Sequence, residues 1–111
     1  MNIFHRDRAD TTLQKIGLHF EEVRELRKKH KIKSRVIYTA SKGPIEGYSR
    51  QDRLAKFVSP DKYPFEADIV IRGDRIFFAP YDTPIRGVAI EDKAIANSMK
   101  MVFELLWNNL S

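Results

Sequence analysis

Apolar residues recur along this chain with two spacings, and the first of these is typical of a helix. One stripe repeats at intervals of three and four residues and consists of Leu13, Ile16, Phe20 and Val23. Residues with this spacing share one helix face, so the stripe predicts an amphipathic helix that runs to about His30. Thr11 and Gln14 have the spacing of a capping box at its start, and Asp10 is an alternative N-cap.

Shorter apolar runs with alternating or β-branched residues predict strands. Four such runs are Ile3–Phe4, Ile32–Tyr38, Phe57–Val58 and Ile85–Ile90. Two further strands are expected within Phe65–Ala79, where apolar and polar residues alternate on either side of Gly73 and Asp74. A Gly-Asp pair between two such runs is typical of a hairpin turn.

The last predicted element is a helix over about Asp92–Asn108, whose acidic start suits the positive end of the helix dipole. Its predicted buried face consists of Ile95, Met99, Val102, Phe103 and Leu106. Trp107, Leu110 and the more outward Leu105 extend the apolar surface beyond one stripe. A helix that is so apolar near its end is expected to meet a second surface, such as another subunit.

The connecting segments complete the predicted order of elements. Thr39–Gln51 has no sustained apolar period and is predicted to be a loop, with a turn of helix near Arg50–Lys56. Two prolines are expected to hold Ser59–Pro64 extended. The resulting order, β-α-β-loop-β-β-β-β-α, predicts an α/β fold with a single mixed β-sheet and helices packed on it.

Composition and charge narrow the class of protein. The 111 residues fit one domain, residues 1–111. The chain has no cysteine, which excludes disulfides and thiolate metal sites. No apolar run approaches the roughly 18 residues that cross a bilayer, and the N-terminus is too polar for a signal peptide. We therefore expect a cytoplasmic protein that does not insert into a membrane.

The net charge of +5 is concentrated in one stretch. This basic run consists of Arg24, Arg27, Lys28, Lys29, Lys31, Lys33 and Arg35. Cations suit the negative end of a helix dipole, so the run is consistent with the solvated end of the first helix. Clustered cations are also the electrostatic footprint of phosphate binding, which makes a small basic nucleic-acid-binding module an alternative function.

The residue types that catalysis needs do not form recognisable groups. His5, His19 and His30 are scattered, which argues against a dedicated metal site. The serines lie in no recognised nucleophile motif, and the glycines do not cluster into a phosphate-binding loop. Glu66 and Asp68 leave the same face of a predicted strand, where they fit acid–base chemistry, a polar pocket or a solvated edge. We expect neither an enzyme nor a bound cofactor or metal ion.

Four segments of the second half of the chain follow a recurrent order. They are Pro60–Phe65, Ile69–Ile76, Gly87–Ala96 and Val102–Trp107, and Arg27–Tyr38 precedes them as a helix-to-strand junction. This order resembles the C-terminal effector domain of TrmB-like transcriptional regulators, which are common in archaea. The shared pattern has a Pro-x-x-x-Pro-Phe lead-in, a hairpin with a Gly-Asp turn, a Gly-Val-x-Ile strand and a helix ending in Phe-Glu-Leu-x-Trp.

The resemblance implies a phospholipase D-like fold without the His-x-Lys-x-x-x-x-Asp motif of that enzyme, so that the cleft is reused for recognition. It implies a homodimeric ligand-sensing domain with no helix-turn-helix of its own, so DNA would be bound only through a separate helix-turn-helix domain or the basic run. We expect a small-molecule effector, a sugar or an anion, to contact Glu66, Asp68, Tyr81 and Arg86. We expect the dimer interface to include Leu105, Trp107 and Leu110.

Overall fold

A computed structural model describes residues 1–9, 34–50, 52–82, 84 and 86–110. These residues contain six strands: β1 (Asn2–His5), β2 (Ser34–Thr39), β3 (Arg53–Phe57), β4 (Ala67–Arg72), β5 (Arg75–Pro80) and β6 (Val88–Glu91). Helix α1 (Lys93–Asn108) follows β6, and residues 6–9, directly after β1, are also helical. The helix predicted to run to about His30 and most of the basic run fall on residues 10–33, outside the described residues.

All six strands belong to one sheet in the order β3-β2-β1-β4-β5-β6. Strands β1, β2 and β3 are parallel, whereas β4 is antiparallel to β1 and continues into an antiparallel β4-β5-β6 meander. The hairpin turn is formed by Gly73 and Asp74, and Gly73 has a φ of 60°, which a residue without Cβ adopts at little cost. The predicted α/β class, with a single mixed sheet and helical segments, is therefore confirmed.

Two connecting segments differ from their predictions. The predicted turn of helix near Arg50–Lys56 is wrong, because β3 occupies most of this range and pairs with β2 from Ser34↔Arg53 to Tyr38↔Phe57. The prediction that Ser59–Pro64 is extended is also wrong, since the backbone N–H groups of Lys62 and Tyr63 both donate to the Ser59 carbonyl and form a turn. In both cases long-range or backbone hydrogen bonds override the local pattern.

The sheet packs apolar side chains on both faces. The helix-side cluster lies between the sheet and α1 and consists of the buried residues Ile3, Ile37, Val58, Ile71, Ile76, Ala96 and Phe103. The aromatic cluster lies on the opposite face of the parallel strands and includes Val36, Tyr38 and Tyr48, with Phe4 and Phe57 packed against them. Because consecutive strand residues point to opposite faces, β2 alone supplies Val36 and Tyr38 to one cluster and Ile37 to the other.

Helix α1 begins at a well-formed cap, in which the Asp92 side chain accepts a hydrogen bond of 2.9 Å from the Ile95 backbone N–H. Its sheet-facing side is built around Ala96 and Phe103, which are buried. The predicted buried face is therefore wrong in part: Met99 and Phe103 face the sheet, whereas Ile95, Val102 and Leu106 are exposed. The helix has apolar residues on two sides, so its periodicity did not determine which side packs.

The second half of α1 is anchored to the parallel strands by two cations. Arg35 on β2 forms a bidentate ion pair with Glu104 and lies over the rings of Phe103 and Trp107. Lys56 on β3 donates to the backbone carbonyls of Trp107 at 2.7 Å and Leu110 at 2.9 Å. Trp107 lies in the last turn of the helix and Leu110 lies just beyond its end, so these bonds tie the end of α1 to β3. None of the helices among the described residues combines the length and hydropathy that a bilayer crossing requires.

Candidate functional site

One end of the sheet collects polar side chains from three strands and from Tyr81, which follows β5. The parallel strands β1 and β2 end here with His5 and Thr39. Because β4 is antiparallel to β1 and β5 is antiparallel to β4, the start of β4 and the end of β5 lie at the same edge. We call this end of the sheet, where the parallel strands β1 and β2 finish, the carboxyl edge. Ligands of open α/β sheets commonly bind beyond the carboxyl ends of the parallel strands, so the carboxyl edge is the first place to look for a binding site.

The hydroxyl group of Tyr81 is the centre of the hydrogen bonding at the carboxyl edge. Tyr81 follows β5 and is only 7% exposed. Its hydroxyl accepts a bond of 2.9 Å from the His5 backbone N–H and donates one of 2.5 Å to the Asp68 carboxylate. Burial, followed by the bond to Asp68, raises the pKa of Tyr81 well above its ordinary value. The phenol is therefore protonated at neutral pH and acts as a fixed donor and acceptor.

The residues that follow β1 place further charges around this tyrosine. The exposed Arg8 guanidinium lies 5.2 Å from the centre of the Tyr81 ring, within the range of a cation–π contact. The Asp7 carboxylate accepts a bond of 2.8 Å from the Ser41 backbone N–H. That bond, opposed in part by desolvation, lowers the pKa of Asp7. The chain after β1 is thus tied to the chain after β2 by a charged hydrogen bond.

Two buried polar residues at the carboxyl edge were not predicted as site residues. His5 and Thr39 are neighbours in the β1–β2 register, and they are 7% and 0% exposed. The Nδ1 atom of His5 accepts a long bond of 3.5 Å from the Arg8 backbone N–H. The Thr39 hydroxyl has no hydrogen-bond partner within the described part of the chain. The sequence feature that could have indicated them is that His5 and Thr39 are polar residues at the ends of the strands β1 and β2.

The structure brings together only part of the predicted effector site. Asp68 and Tyr81 are in direct contact. Glu66 is exposed, and its backbone carbonyl accepts a bond of 3.0 Å from the Tyr81 N–H. Arg86 is exposed and pairs with the Asp82 carboxylate at 2.8 Å, which lowers the pKa of Asp82. Arg86 therefore stands in a surface ion pair, and the structure gives it no bond to Asp68 or Tyr81.

The predicted dimer interface is described by the structure, whereas the predicted nucleic-acid-binding residues are not. Leu105 is 65% exposed on α1, whereas Trp107 and Leu110 are partly buried and pack against the helix-side cluster. The six cations predicted to contact nucleic acid are Arg24, Arg27, Lys28, Lys29, Lys31 and Lys33, all of which lie outside the described residues. Within the described ranges, no three His, Asp or Glu side chains are grouped so that they could hold a metal ion.

No family model, no curated protein and no solved structure matches the chain. The carboxyl edge carries the Asp68 carboxylate and the Arg8 guanidinium, both of which contact the buried, protonated phenol of Tyr81. Such a set of donors and acceptors is suited to recognising a polar small molecule.

Proposed function

We propose that this chain is a non-catalytic ligand-sensing domain of the kind found in TrmB-like transcriptional regulators, acting in the cytoplasm as a homodimer. Its effector binds at the carboxyl edge of the sheet. The observation that carries this proposal is the bridge formed by Tyr81, whose hydroxyl links the end of β1 to the Asp68 carboxylate on β4. The bridge fixes polar groups from both halves of the sheet around one point.

The roles of the residues differ in this proposal. Arg8 is exposed and contacts the effector directly, with the Asp68 carboxylate as an acceptor for its hydroxyl groups. Tyr81 is buried, so it acts by positioning Asp68 and by supporting the Arg8 guanidinium on its ring. A guanidinium and a carboxylate that contact the same tyrosine suit a sugar, or an anion that carries hydroxyl groups.

Reuse of a phospholipase D-like sheet is part of the same proposal. The mixed six-stranded sheet and its α/β class are compatible with it. If Gly73 takes the place of the catalytic aspartate, Glu66 and Asp68 occupy the positions of the catalytic histidine and lysine. If the register shifts by one residue, Asp74 takes the place of the aspartate, and Ala67 and Ile69 occupy those two positions, so neither register restores a histidine nucleophile. Neither carboxylates nor apolar side chains can act as the nucleophilic imidazole and the ammonium group of that reaction. Recognition without phosphodiester cleavage is therefore the function that these positions support.

The test is a thermal-shift screen of neutral sugars, sugar phosphates and nucleotides, followed by calorimetric titration of any compound that stabilises the protein. We expect Arg8→Gln to weaken binding of such a compound by at least about tenfold, because one charged contact is lost.

Arg75→Gln is the matched control, since Arg75 is exposed and belongs to the turn end of the hairpin, away from the carboxyl edge. Equal affinity of Arg8→Gln and Arg75→Gln would contradict the proposed site. A screen in which no compound stabilises the protein would count against ligand sensing altogether.

A further inference from the structure

The side of α1 that points away from the sheet carries no charge. We define the outer face of α1 as Ala94, Ile95, Ser98, Met101, Val102, Leu105 and Leu106, together with the C-cap residue Asn109. Every one of these residues is exposed, and none is acidic or basic, although 32% of the chain is charged. The five large apolar side chains are strongly exposed, with exposed fractions of 46% for Ile95, 70% for Met101, 46% for Val102, 65% for Leu105 and 43% for Leu106.

The outer face also has the spacing of a helix that packs against another helix. Five of its residues alternate intervals of three and four positions, and they are Ile95, Ser98, Val102, Leu105 and Asn109. This is the seam of a coiled-coil-like contact, in which side chains of one helix fit between those of its partner. Met101 and Leu106 flank the seam and would widen it.

Packing on the sheet does not account for this spacing. The sheet is contacted by a different stripe, which includes Ala96 and Phe103. One flank of the helix is engaged by the ion pair between Glu104 and Arg35. The outer face therefore has its own apolar period, and none of the contacts that fix α1 within the described part of the chain explains it.

Charge indicates which occupant fits the outer face. The chain carries a net charge of +5, so two copies repel one another wherever their charged surfaces meet. A symmetric pair brings each residue of one surface against the same surface of the other copy, which is unfavourable for a charged face and harmless for an uncharged one. The outer face of α1 meets that condition over its whole length.

We propose that a second copy of this chain binds through the outer face of α1, with the two helices related by a two-fold axis near Val102. The inference rests on the homodimer of the proposed function and specifies its interface. Leu105 belongs to this interface, in agreement with the prediction from the sequence. Trp107 and Leu110 do not belong to the interface, because they pack against the helix-side cluster of their own protomer.

The test is the mass of the full chain in solution, measured by sedimentation equilibrium over a range of concentrations. The wild-type chain is expected to be a dimer. Val102→Glu and Leu105→Glu are each expected to raise the dimer dissociation constant by at least about 30-fold, as loss of a central interface residue does. Asn97→Glu is the matched control, because Asn97 is uncharged and exposed on the Glu104 side of the same helix, and this variant gains the same charge outside the outer face.

A monomeric wild-type chain would overturn the proposal, and so would a dimer that persists in both glutamate variants. Circular dichroism establishes that each variant is folded. If a variant does not fold, Val102→Cys provides a second test, because the chain has no other cysteine and oxidation should cross-link the two copies. Failure of the Val102→Cys variant to cross-link would also overturn the proposed interface. Effector binding is measured separately, so a protein that binds no effector can still give a positive result here.

Discussion

The hydroxyl of Tyr81 gives the sharpest test of how the carboxyl edge is held together. Tyr81→Phe removes one oxygen atom and keeps the ring. The His5 backbone N–H then loses the acceptor that it has at 2.9 Å, and the Asp68 carboxylate loses a donor at 2.5 Å. Both losses occur beside a side chain that is only 7% exposed, so water replaces the hydroxyl poorly.

The expected loss of stability follows from these two bonds. A buried polar group left without its partner costs about 1–3 kcal/mol. Asp68 is only partly buried and regains some hydration, so we expect a total loss of about 1.5–3 kcal/mol in the free energy of unfolding. In a domain of this size the melting temperature should fall by about 4 °C per kcal/mol. Urea unfolding at pH 7 measures the free-energy change directly.

Tyr63→Phe is the control for this measurement. Tyr63 is 53% exposed, and the same atom is removed from a surface side chain. A surface change of this kind should stay within about 0.5 kcal/mol of wild type. If Tyr81→Phe and Tyr63→Phe are equally stable, the Tyr81 bridge does not hold the carboxyl edge together and the reasoning fails.

Three further predictions concern titration, the end of α1 and the basic run. The folded-state pKa of Tyr81 is raised above its unfolded value, so the stability that its hydroxyl contributes is present below the unfolded pKa of about 10 and is lost at higher pH. Unfolding curves between pH 8 and pH 11 should show the wild-type advantage over Tyr81→Phe shrinking as the pH rises, and a constant advantage would contradict this. Lys56→Met keeps the aliphatic stem but removes the bonds to the two carbonyls at the end of α1. We expect it to lower the free energy of unfolding, measured in urea, by about 1–2 kcal/mol. An unchanged free energy would contradict the anchoring role of Lys56. If the chain binds DNA or RNA through its basic run, charge reversal of Lys28, Lys29 and Lys31 should weaken that binding and reduce its dependence on salt concentration. Fluorescence anisotropy measures both effects, and unchanged binding would exclude this alternative function.

Local sequence signals were sufficient where an element depends on its own residues. Gly73 and Asp74 between alternating runs predicted the β4-β5 hairpin, which the register of Ile71↔Ile76 and Arg72↔Arg75 confirms. The helical spacing after Asp92 predicted α1 and its acidic start, where the structure places Asp92 as the N-cap. In both cases the information lies within a few residues along the chain.

Other features depend on contacts that no local pattern contains. Strand β3 has no clear alternation, and its extended form comes from pairing with β2. The sheet-facing side of α1 was mispredicted because both sides of the helix are apolar, and only packing on the sheet distinguishes Ala96 from Ile95.

The candidate site also combines a part that local sequence predicts with a part that depends on long-range contacts. Asp68 and Tyr81 are thirteen positions apart on one hairpin, so their proximity could be inferred from the sequence. The bond from His5 to Tyr81 joins residues seventy-six positions apart and requires the β1–β4 pairing. No hydrophobic pattern encodes which strand lies beside which, so this half of the site emerged only from the fold.

The most direct test of the central claim is a titration followed by backbone amide chemical shifts of the isotopically labelled full chain. The titrants are the sugars, sugar phosphates and nucleotides of the thermal-shift screen. If the effector binds at the carboxyl edge, saturable shifts cluster there, on the amides of His5, Arg8, Ser41, Asp68 and Tyr81. Saturable shifts confined to the hairpin turn at Gly73 and Asp74 or to α1, or no shifts with any titrant, would contradict it.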